Sequence, residues 1–541
     1  MMSVRSESGY DATARTPDAS LQRMIETMFL RTFERGSASC RRASLLGFVA
    51  INLLTILLPA SNAGERVATA PDKVLEPLKG ETVTFPLKGS LGTSDFTLEL
   101  SLDADRTDTH DLGDLVSLWN QETRNGFTLG LRNNTGSTTS QANWRQLQFG
   151  IDAGSEPTWR DEGRPGAAVL GFSIVVHEGS LYVGTCETGD AAGQVYRYAG
   201  PGQWERVGPL DRSNAVTALA TFEGQLYAGT GKYRLGGSAL TESANTNLGG
   251  RVYRFIRPGE WELVGELPST EAVAALVTYG GRLYASSLYR PAGFFRYDGE
   301  RSWTSIPTPD GRRVNALGVH GGYLYATSYD SGAVYRFDGT RWTDLGLVDR
   351  DVTQNYSFAT FQNALHVSTW PSGKVYRLGA DDRWIDRGQL GDEQEVMGML
   401  VHNGSFYAGT LPKAEVYRLD GKSSWTRLKQ LDETPDVKFR RVWTMATYQG
   451  RLFATTLPSG KVWSMSAGSL VTHDRELASG WHDVVAERRG RKLLLTVDGQ
   501  KVAEAETPET SLATEGLRLT IGEGPRGRFP GRLKNVRFES R

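Results

Sequence analysis

The chain has 541 residues, with 61 basic and 62 acidic side chains and a net charge of −1 at pH 7. Basic and acidic residues are nearly equal in number and are scattered along the chain, so they do not form the basic face that nucleic-acid binding requires. We therefore predict no nucleic-acid partner. The 62 glycines are typical of a fold with many tight turns. Of the two cysteines, Cys40 falls in the leader described next, which leaves Cys186 alone and predicts no internal disulfide.

Residues 1–63 are predicted to be an export leader. A basic segment is followed by an apolar run from Ala43 to Leu58 and then by small residues at Ser61 and Ala63, as in a secretory signal peptide. The run is shorter than the roughly 20 residues of a membrane span. We therefore expect a secreted, periplasmic or cell-surface protein without a membrane span beyond the leader; the alternative is an uncleaved signal anchor.

Residues 64–80 are predicted to be a linker, and residues 81–154 contain segments of strand length. Three such segments are Asp95–Leu100, Leu115–Trp119 and Gly126–Leu131. They do not follow the repeat that begins after them, so we assign them to a different domain.

A repeating unit occupies residues 155–467. Each unit has an apolar strand, a glycine turn, a Leu-Tyr strand, a Val-Tyr-Arg strand and a tryptophan strand. The aromatic residue of the third strand marks the units and recurs at Tyr196, Tyr253, Phe295, Tyr335, Tyr376, Tyr417 and Trp463. A period near 40 with four short strands is typical of a β-propeller blade. The units resemble kelch-like propeller repeats, which implies seven blades.

The tryptophan strand of the seventh unit is missing from its end and is predicted to lie at the front. Trp159-Arg160-Asp161-Glu162-Gly163 has the form of Trp342-Thr343-Asp344-Leu345-Gly346. Residues 157–164 would therefore complete the last blade and join the two ends of the ring, which protects strand edges.

Residues 468–541 resemble a laminin-G-like, concanavalin-A-like jelly roll. The resemblance is carried by 481–486 (WHDVVA), 495–499 (LTVDG) and 529–536 (FPGRLKNV). Neither flank alone has enough strands for two sheets. We therefore predict an all-β chain in which a seven-bladed β-propeller is inserted into one jelly-roll β-sandwich, made of 81–154 and 468–541.

No cofactor is evident from the sequence. Histidines are dispersed, and neither paired cysteines nor EF-hand spacing occurs, so no metal site is predicted. Laminin-G-like domains sometimes bind calcium, and the resemblance leaves calcium open without a local motif to support it.

The loops at one face of the predicted ring carry aromatic and charged side chains suited to sugar rings, hydroxyls and carboxylates. The candidate ligand-binding residues are Tyr289, Arg313, Tyr329, Asp330, Tyr356, Trp370, Glu395, Lys413, Arg441 and Trp443. The alternative for Trp370 and Trp443 is that they wedge between blades. An insertion in the second unit, Lys232 to Asn247, is expected to be polar, flexible and functional.

No nucleophile elbow or phosphate-binding glycine loop occurs, so no catalytic residue is assigned. The leading hypothesis is an exported carbohydrate-binding or interaction protein that uses the propeller face and the jelly roll, with a glycan or another protein as partner. The first alternative is a polysaccharide-degrading enzyme, a lyase or glycoside hydrolase, with its site on the same face. The second is a structural or adhesive protein.

Overall fold

The computed structural model describes residues 66–104, 109–134 and 141–541. These residues form 40 β-strands and short 3-10 helices at Pro77–Lys79, Leu235–Ser238 and Pro309–Gly311. The prediction of an all-β chain is confirmed. The predicted leader, 1–63, lies outside the described residues. Within the described ranges, no helix is both long and apolar enough to span a membrane.

Seven strands precede the first complete repeat: β1 (Arg66–Thr69), β2 (Val83–Pro86), β3 (Phe96–Asp103), β4 (Leu112–Asn120), β5 (Asn125–Asn134), β6 (Asn143–Ala153) and β7 (Thr158–Asp161). The repeats follow as sets of four. The first three sets are β8 (Leu170–His177), β9 (Ser180–Cys186), β10 (Val195–Gly200) and β11 (Gln203–Arg206); β12 (Ala215–Phe222), β13 (Gln225–Gly231), β14 (Arg251–Arg257) and β15 (Glu260–Glu266); and β16 (Val273–Tyr279), β17 (Arg282–Ser287), β18 (Phe294–Gly299) and β19 (Ser302–Ser305).

The next three sets are β20 (Val314–His320), β21 (Tyr323–Ser328), β22 (Ala333–Phe337) and β23 (Trp342–Leu347); β24 (Gln354–Phe361), β25 (Ala364–Trp370), β26 (Lys374–Leu378) and β27 (Trp384–Gln389); and β28 (Glu395–His402), β29 (Ser405–Leu411), β30 (Glu415–Asp420) and β31 (Ser424–Gln430). The chain ends with β32 (Arg441–Tyr448), β33 (Arg451–Leu457), β34 (Val462–Ser466), β35 (Ser469–His473), β36 (Trp481–Arg489), β37 (Lys492–Val497), β38 (Gln500–Glu506), β39 (Arg518–Ile521) and β40 (Arg532–Ser540).

The strands of the repeat form a closed ring of antiparallel sheets. Five of these sheets have four strands, and the first two sets, β8–β15, form one eight-stranded sheet because β12 also pairs with β9. The first strands of consecutive units contact one another in sequence from β8 to β32, and β32 contacts β8 again. The seventh unit has the order β32-β33-β34-β7, with Trp463 opposite Asp161. The pairing expected of residues 157–164 is therefore observed, and a strand from before the repeat completes the last unit.

Five of the repeated tryptophans join their unit to the one before it. Their indole N–H groups donate hydrogen bonds to backbone carbonyls at or just beyond the outer strand of the preceding unit. These bonds run from Trp204 to Glu162 (2.9 Å), Trp261 to Val207 (2.8 Å), Trp303 to Val264 (3.0 Å), Trp342 to Pro307 (3.1 Å) and Trp425 to Arg387 (2.8 Å). At these five positions the repeat places an apolar ring between units and satisfies its single donor there. In the fifth unit, the Trp384 Nε1 is buried without a hydrogen-bond partner among the described residues.

The two flanks of the repeat together build two six-stranded sheets, in the orders β1-β40-β3-β36-β37-β38 and β2-β39-β4-β5-β6-β35. Each sheet contains strands from before and after the ring. Their facing side chains share one apolar core, in which Phe96 stacks on Phe127 at 4.9 Å and Phe538 lies 5.9 Å from both rings. Neither flank therefore has a complete core without the other.

The segment predicted to be a linker differs from that prediction. Residues Arg66–Thr69 pair with β40, and Leu75 pairs with Leu533. Leu75 is buried in the core of the paired sheets. Residues 66–69 and Leu75 are therefore part of the paired sheets, because they pair with β40 and the apolar side chain of Leu75 enters the core.

Buried polar contacts connect the ring to the paired sheets. Asn403, in the turn after β28, donates from Nδ2 to the carbonyl of Ile151 at 3.1 Å. Asn143 donates from Nδ2 to the carbonyl of Thr447 at 2.8 Å. Since unpaired buried polar groups are costly, these bonds hold the ring in one orientation.

The ion pair between Asp114 and Arg526 gives a test of the paired sheets. Both side chains are fully buried, with Oδ1 and Nη1 2.7 Å apart. We predict that Asp114→Ala lowers the free energy of unfolding by about 3–5 kcal/mol, because it leaves a buried guanidinium without its counter-charge. Urea unfolding followed by circular dichroism measures this. The control, Arg257→Ala, removes an exposed pair with Glu260 and should change stability by about 0.5 kcal/mol or less; equal shifts would contradict the prediction.

Candidate functional site

A cavity of about 380 Å³ lies where the innermost strands of the ring converge. It is bordered by the beginnings of first strands and by loops that follow second strands. Its lining residues are Phe172, Tyr233, Arg234, Gly237, Leu288, Tyr289, Asn315, Tyr329, Gln354, Tyr356, Trp370, Glu395, Met397, Phe439, Arg441 and Trp443. We call this the axial cavity. Its volume lies within the range of about 300–1,000 Å³ typical of small-molecule sites.

Seven of the ten sequence-predicted residues line the axial cavity: Tyr289, Tyr329, Tyr356, Trp370, Glu395, Arg441 and Trp443. They come from five different units of the ring. The other three, Arg313, Asp330 and Lys413, do not line it.

Arg313 and Asp330 lie beside the cavity and position one of its walls. Arg313 pairs with Asp330 at 2.7 Å, and its guanidinium lies 4.6 Å from the centre of the Tyr329 ring. Lys413 is farther out, where its Nζ pairs with the exposed Asp392 at 3.0 Å. The first two therefore support a lining residue, while Lys413 forms a surface ion pair.

The two tryptophans differ in exposure. Trp443 is 5% exposed and packs against Phe172 at 4.8 Å and Tyr233 at 5.8 Å, so it is part of the apolar floor. Trp370 is half-buried and meets Phe439 edge to face at 6.3 Å. The alternative that both tryptophans are packing residues therefore fits Trp443. Trp370 instead exposes part of its ring at the side of the cavity.

The insertion in the second unit supplies Tyr233, Arg234 and Gly237 to the cavity. The expectation that it is flexible is not met. Asn245 donates from Nδ2 to the carbonyls of Ala191 and Arg212, both at 2.9 Å, and the Tyr233 and Ser238 hydroxyls are 2.7 Å apart. These bonds fix the insertion against the first two units.

Phe172, Met397 and Gln354 were missed from the sequence, although the repeat holds a signal for them. Phe172 and Met397 are the third residues of β8 and β28, as Tyr356 and Trp443 are of their own first strands. Aligning the first strands by register therefore indicates the cavity positions. Phe439 precedes β32 in an irregular segment, for which the repeat gives no signal.

Glu395 and Arg441 form the charged centre of the axial cavity. Both are buried, and Glu395 Oε1 lies 3.6 Å from Arg441 Nε. Burial raises the pKa of Glu395 to about 7, and the positive charge of Arg441 opposes that rise. A carboxyl group that changes charge near neutral pH thus lies beside a permanent cation.

The tyrosines of the cavity act as neutral hydrogen-bonding groups. Burial and the Glu395 charge raise the pKa of Tyr356 well above 10, and the same two causes raise the pKa of Tyr329. The Tyr356 hydroxyl donates to Gln354 Oε1. These hydroxyls therefore stay protonated at neutral pH.

Asn315, Glu395 and Arg441 line the cavity and carry buried polar atoms that make no hydrogen bond to a described residue. The atoms are Asn315 Oδ1, Glu395 Oε1 and Arg441 Nε. Such atoms are uncommon in folded proteins and indicate a place for ordered water, a ligand or an ion. In the same described ranges, no group of three or more histidine, cysteine, aspartate or glutamate side chains is arranged to hold a metal ion.

No family model matches the chain, and no curated protein matches it. Solved structures resemble it in fold. Virginiamycin B lyase from Staphylococcus aureus has 10% identity over 57% of this chain and 99% of its own, with a TM-score of 0.45. The WD40 β-propeller domain of Doa1 has 12% identity over 57% and 97%, with a TM-score of 0.42. The GH74 xyloglucanase from Xanthomonas campestris has 17% identity over 61% and 59%, with a TM-score of 0.40.

The titration of Glu395 can be measured directly. With glutamate side chains labelled with ¹³C, we predict one carboxyl signal with a midpoint near pH 7, because burial disfavours the charged form. Glu395→Gln should remove this signal. The matched control, Glu504→Gln, removes an exposed carboxyl whose pKa Lys492 and Lys501 hold at about 2, and it should leave the signal unchanged. A spectrum with every glutamate below pH 5.5 would contradict the prediction.

Proposed function

We propose that the protein is an exported saccharide-binding protein with its site in the axial cavity. In this proposal the ring is a seven-bladed β-propeller, residues 155–467, inserted into a jelly-roll sandwich, and residues 1–63 are the export leader. A second binding site on the jelly roll, and calcium there, remain predictions.

The composition of the axial cavity carries the proposal. Half-buried aromatic rings, among them Tyr289, Trp370 and Phe439, surround a few polar groups. Aromatic faces pack on the apolar faces of sugar rings, while carboxylate, guanidinium, amide and phenol groups bind hydroxyls. Asn315 Oδ1 and Glu395 Oε1, which accept no hydrogen bond from a described residue, are acceptors of the kind that hydroxyl donors need.

An enzyme acting on a polysaccharide is the second candidate, and one observation favours it. A carboxyl group with a pKa near 7 is suited to general acid–base catalysis at neutral pH. Glycoside hydrolysis commonly uses two carboxyl groups, however, and Glu395 is the single carboxylate among the described residues that line the cavity. The raised pKa of Tyr356 also disfavours a tyrosinate base. Binding without turnover therefore agrees better with the cavity.

Trp370→Ala tests the proposed site. Calorimetric titration of the chain from Gly64 onward with neutral and acidic tetrasaccharides should identify a ligand. We predict that Trp370→Ala weakens its binding about ten-fold or more, the effect of about 1.4 kcal/mol, because the substitution removes a ring at the side of the cavity.

The matched control is Tyr323→Ala. Tyr323 is 39% exposed and begins β21, whereas Tyr329 at the cavity follows the other end of that strand. Its substitution should leave binding unchanged. Equal loss in both variants, or no binding of any saccharide, would contradict the proposal. Shortening of a polysaccharide over a day, measured by size-exclusion chromatography, would favour the enzyme instead.

A further inference from the structure

We infer that the axial cavity selects acidic saccharides: a uronate carboxylate binds to the guanidinium of Arg441, and Glu395 takes up a proton as it binds. This inference rests on the proposed saccharide site and specifies its ligand class.

The guanidinium of Arg441 is fixed but only partly used. Its Nη1 donates to the Ser238 hydroxyl, and its Nε faces Glu395 at 3.6 Å. Its Nη2 donates no hydrogen bond to a described residue. The Phe439 and Trp443 rings each lie 5.6 Å from the guanidinium carbon and keep water away from it. A buried guanidinium with a free donor among aromatic rings is suited to a carboxylate ligand.

Charges around the cavity favour an anion as well. Asp330 is shared by two guanidinium groups, those of Arg290 at 3.0 Å and Arg313 at 2.7 Å. Lys438 lies 4.9 Å from the centre of the Phe439 ring and forms no ion pair with a described residue. Among these residues, one carboxylate is shared by two guanidinium groups and Lys438 adds a further positive charge, so the excess of positive charge favours an acidic polymer.

A ligand carboxylate at Arg441 would lie close to Glu395, and two like charges in a buried site are unfavourable together. The groups that face Glu395 are Arg441 from β32, Tyr356 from β24 and Tyr329 from the loop after β21. On the paired strand β29, apolar Leu411 is opposite it. The other cation that lines the cavity, Arg234, is paired with Glu271 at 2.5 Å. Among the described residues Arg441 is therefore the cation that acts on Glu395, and protonation is the available way to remove the repulsion.

The direction of the pH dependence follows from this coupling. The pKa of Glu395 is about 7 without ligand, and a neighbouring ligand carboxylate raises it further. The complex therefore holds more protons than the free protein near and above pH 7. Acidic saccharides should bind with constant affinity below about pH 6 and progressively more weakly as the pH rises above 7, whereas neutral saccharides should not show this loss.

Calorimetric titration of the chain from Gly64 onward tests the inference. The three probes are the tetramers of galacturonate, glucuronate and mannuronate, and the binding of each is compared with that of its methyl ester. The ester keeps the sugar and removes the charge. We expect at least one acid to bind ten-fold or more tightly than its ester at pH 6. At pH 7.5, titrations in buffers of different ionisation enthalpy should show net proton uptake by the wild-type protein.

Two variants separate the roles. Arg441→Gln should abolish the preference for the acid over the ester, because it removes the positive charge to which the ligand carboxylate binds. Glu395→Gln should keep the preference and remove both the proton uptake and the loss of affinity above pH 7. Thermal unfolding checks that each variant is folded. If a variant does not fold, the proton uptake measured with the wild-type protein still tests the inference.

The outcomes distinguish the two proposals. If neutral tetrasaccharides or the methyl esters bind through Trp370 as tightly as the acids do, the site is a saccharide site and the acidic specificity is wrong. If the acids are preferred without proton uptake, the role of Glu395 is wrong. If no saccharide of either kind binds, both the site and its specificity are overturned.

Discussion

The pairing of β7 with β34 is the interaction on which the rest of the structure depends. A strand from before the repeat completes the last unit, so the ring ends where it began and the edge of β34 is covered. The same pairing brings the two flanks of the chain together. Only then can β3 lie between β36 and β40, and only then can Phe96, Phe127 and Phe538 share one core. The ring and the paired sheets are therefore coupled in their formation.

Closure of the ring also creates the axial cavity. Residues at equivalent positions of different units, such as Phe172, Tyr356 and Trp443, converge because every first strand begins at the same end of the ring. The insertion after β13 extends over this end and adds Tyr233, whose hydroxyl is bonded to Ser238. A regular repeat thus supplies the walls, and the irregular insertion after β13 makes the cavity asymmetric.

The chemistry of the site arises from desolvation. Glu395 and Arg441 would be an ordinary ion pair at the surface, where such pairs contribute little. In the cavity, apolar neighbours remove water from both groups, so the pKa of Glu395 moves toward neutrality and the guanidinium keeps an unused donor. Charge recognition and proton affinity are consequently properties of one pair of side chains, and the aromatic rings around them contribute by excluding water as well as by contact.

Periodicity made much of this fold and part of its site predictable from sequence. The spacing of the third-strand aromatics, the repeated tryptophans and the displaced strand at Trp159 indicated the units and their closure, because each is a local pattern with a required geometry. Seven cavity residues were predicted from expected loops, although five of them lie within strands, near the ends that border the cavity. The tertiary structure decided the rest: that Arg66–Thr69 joins a sheet, that the insertion is fixed over the cavity, and that Glu395 faces Arg441. These depend on contacts between distant segments and on the exclusion of water, and neither leaves a periodic trace in the chain.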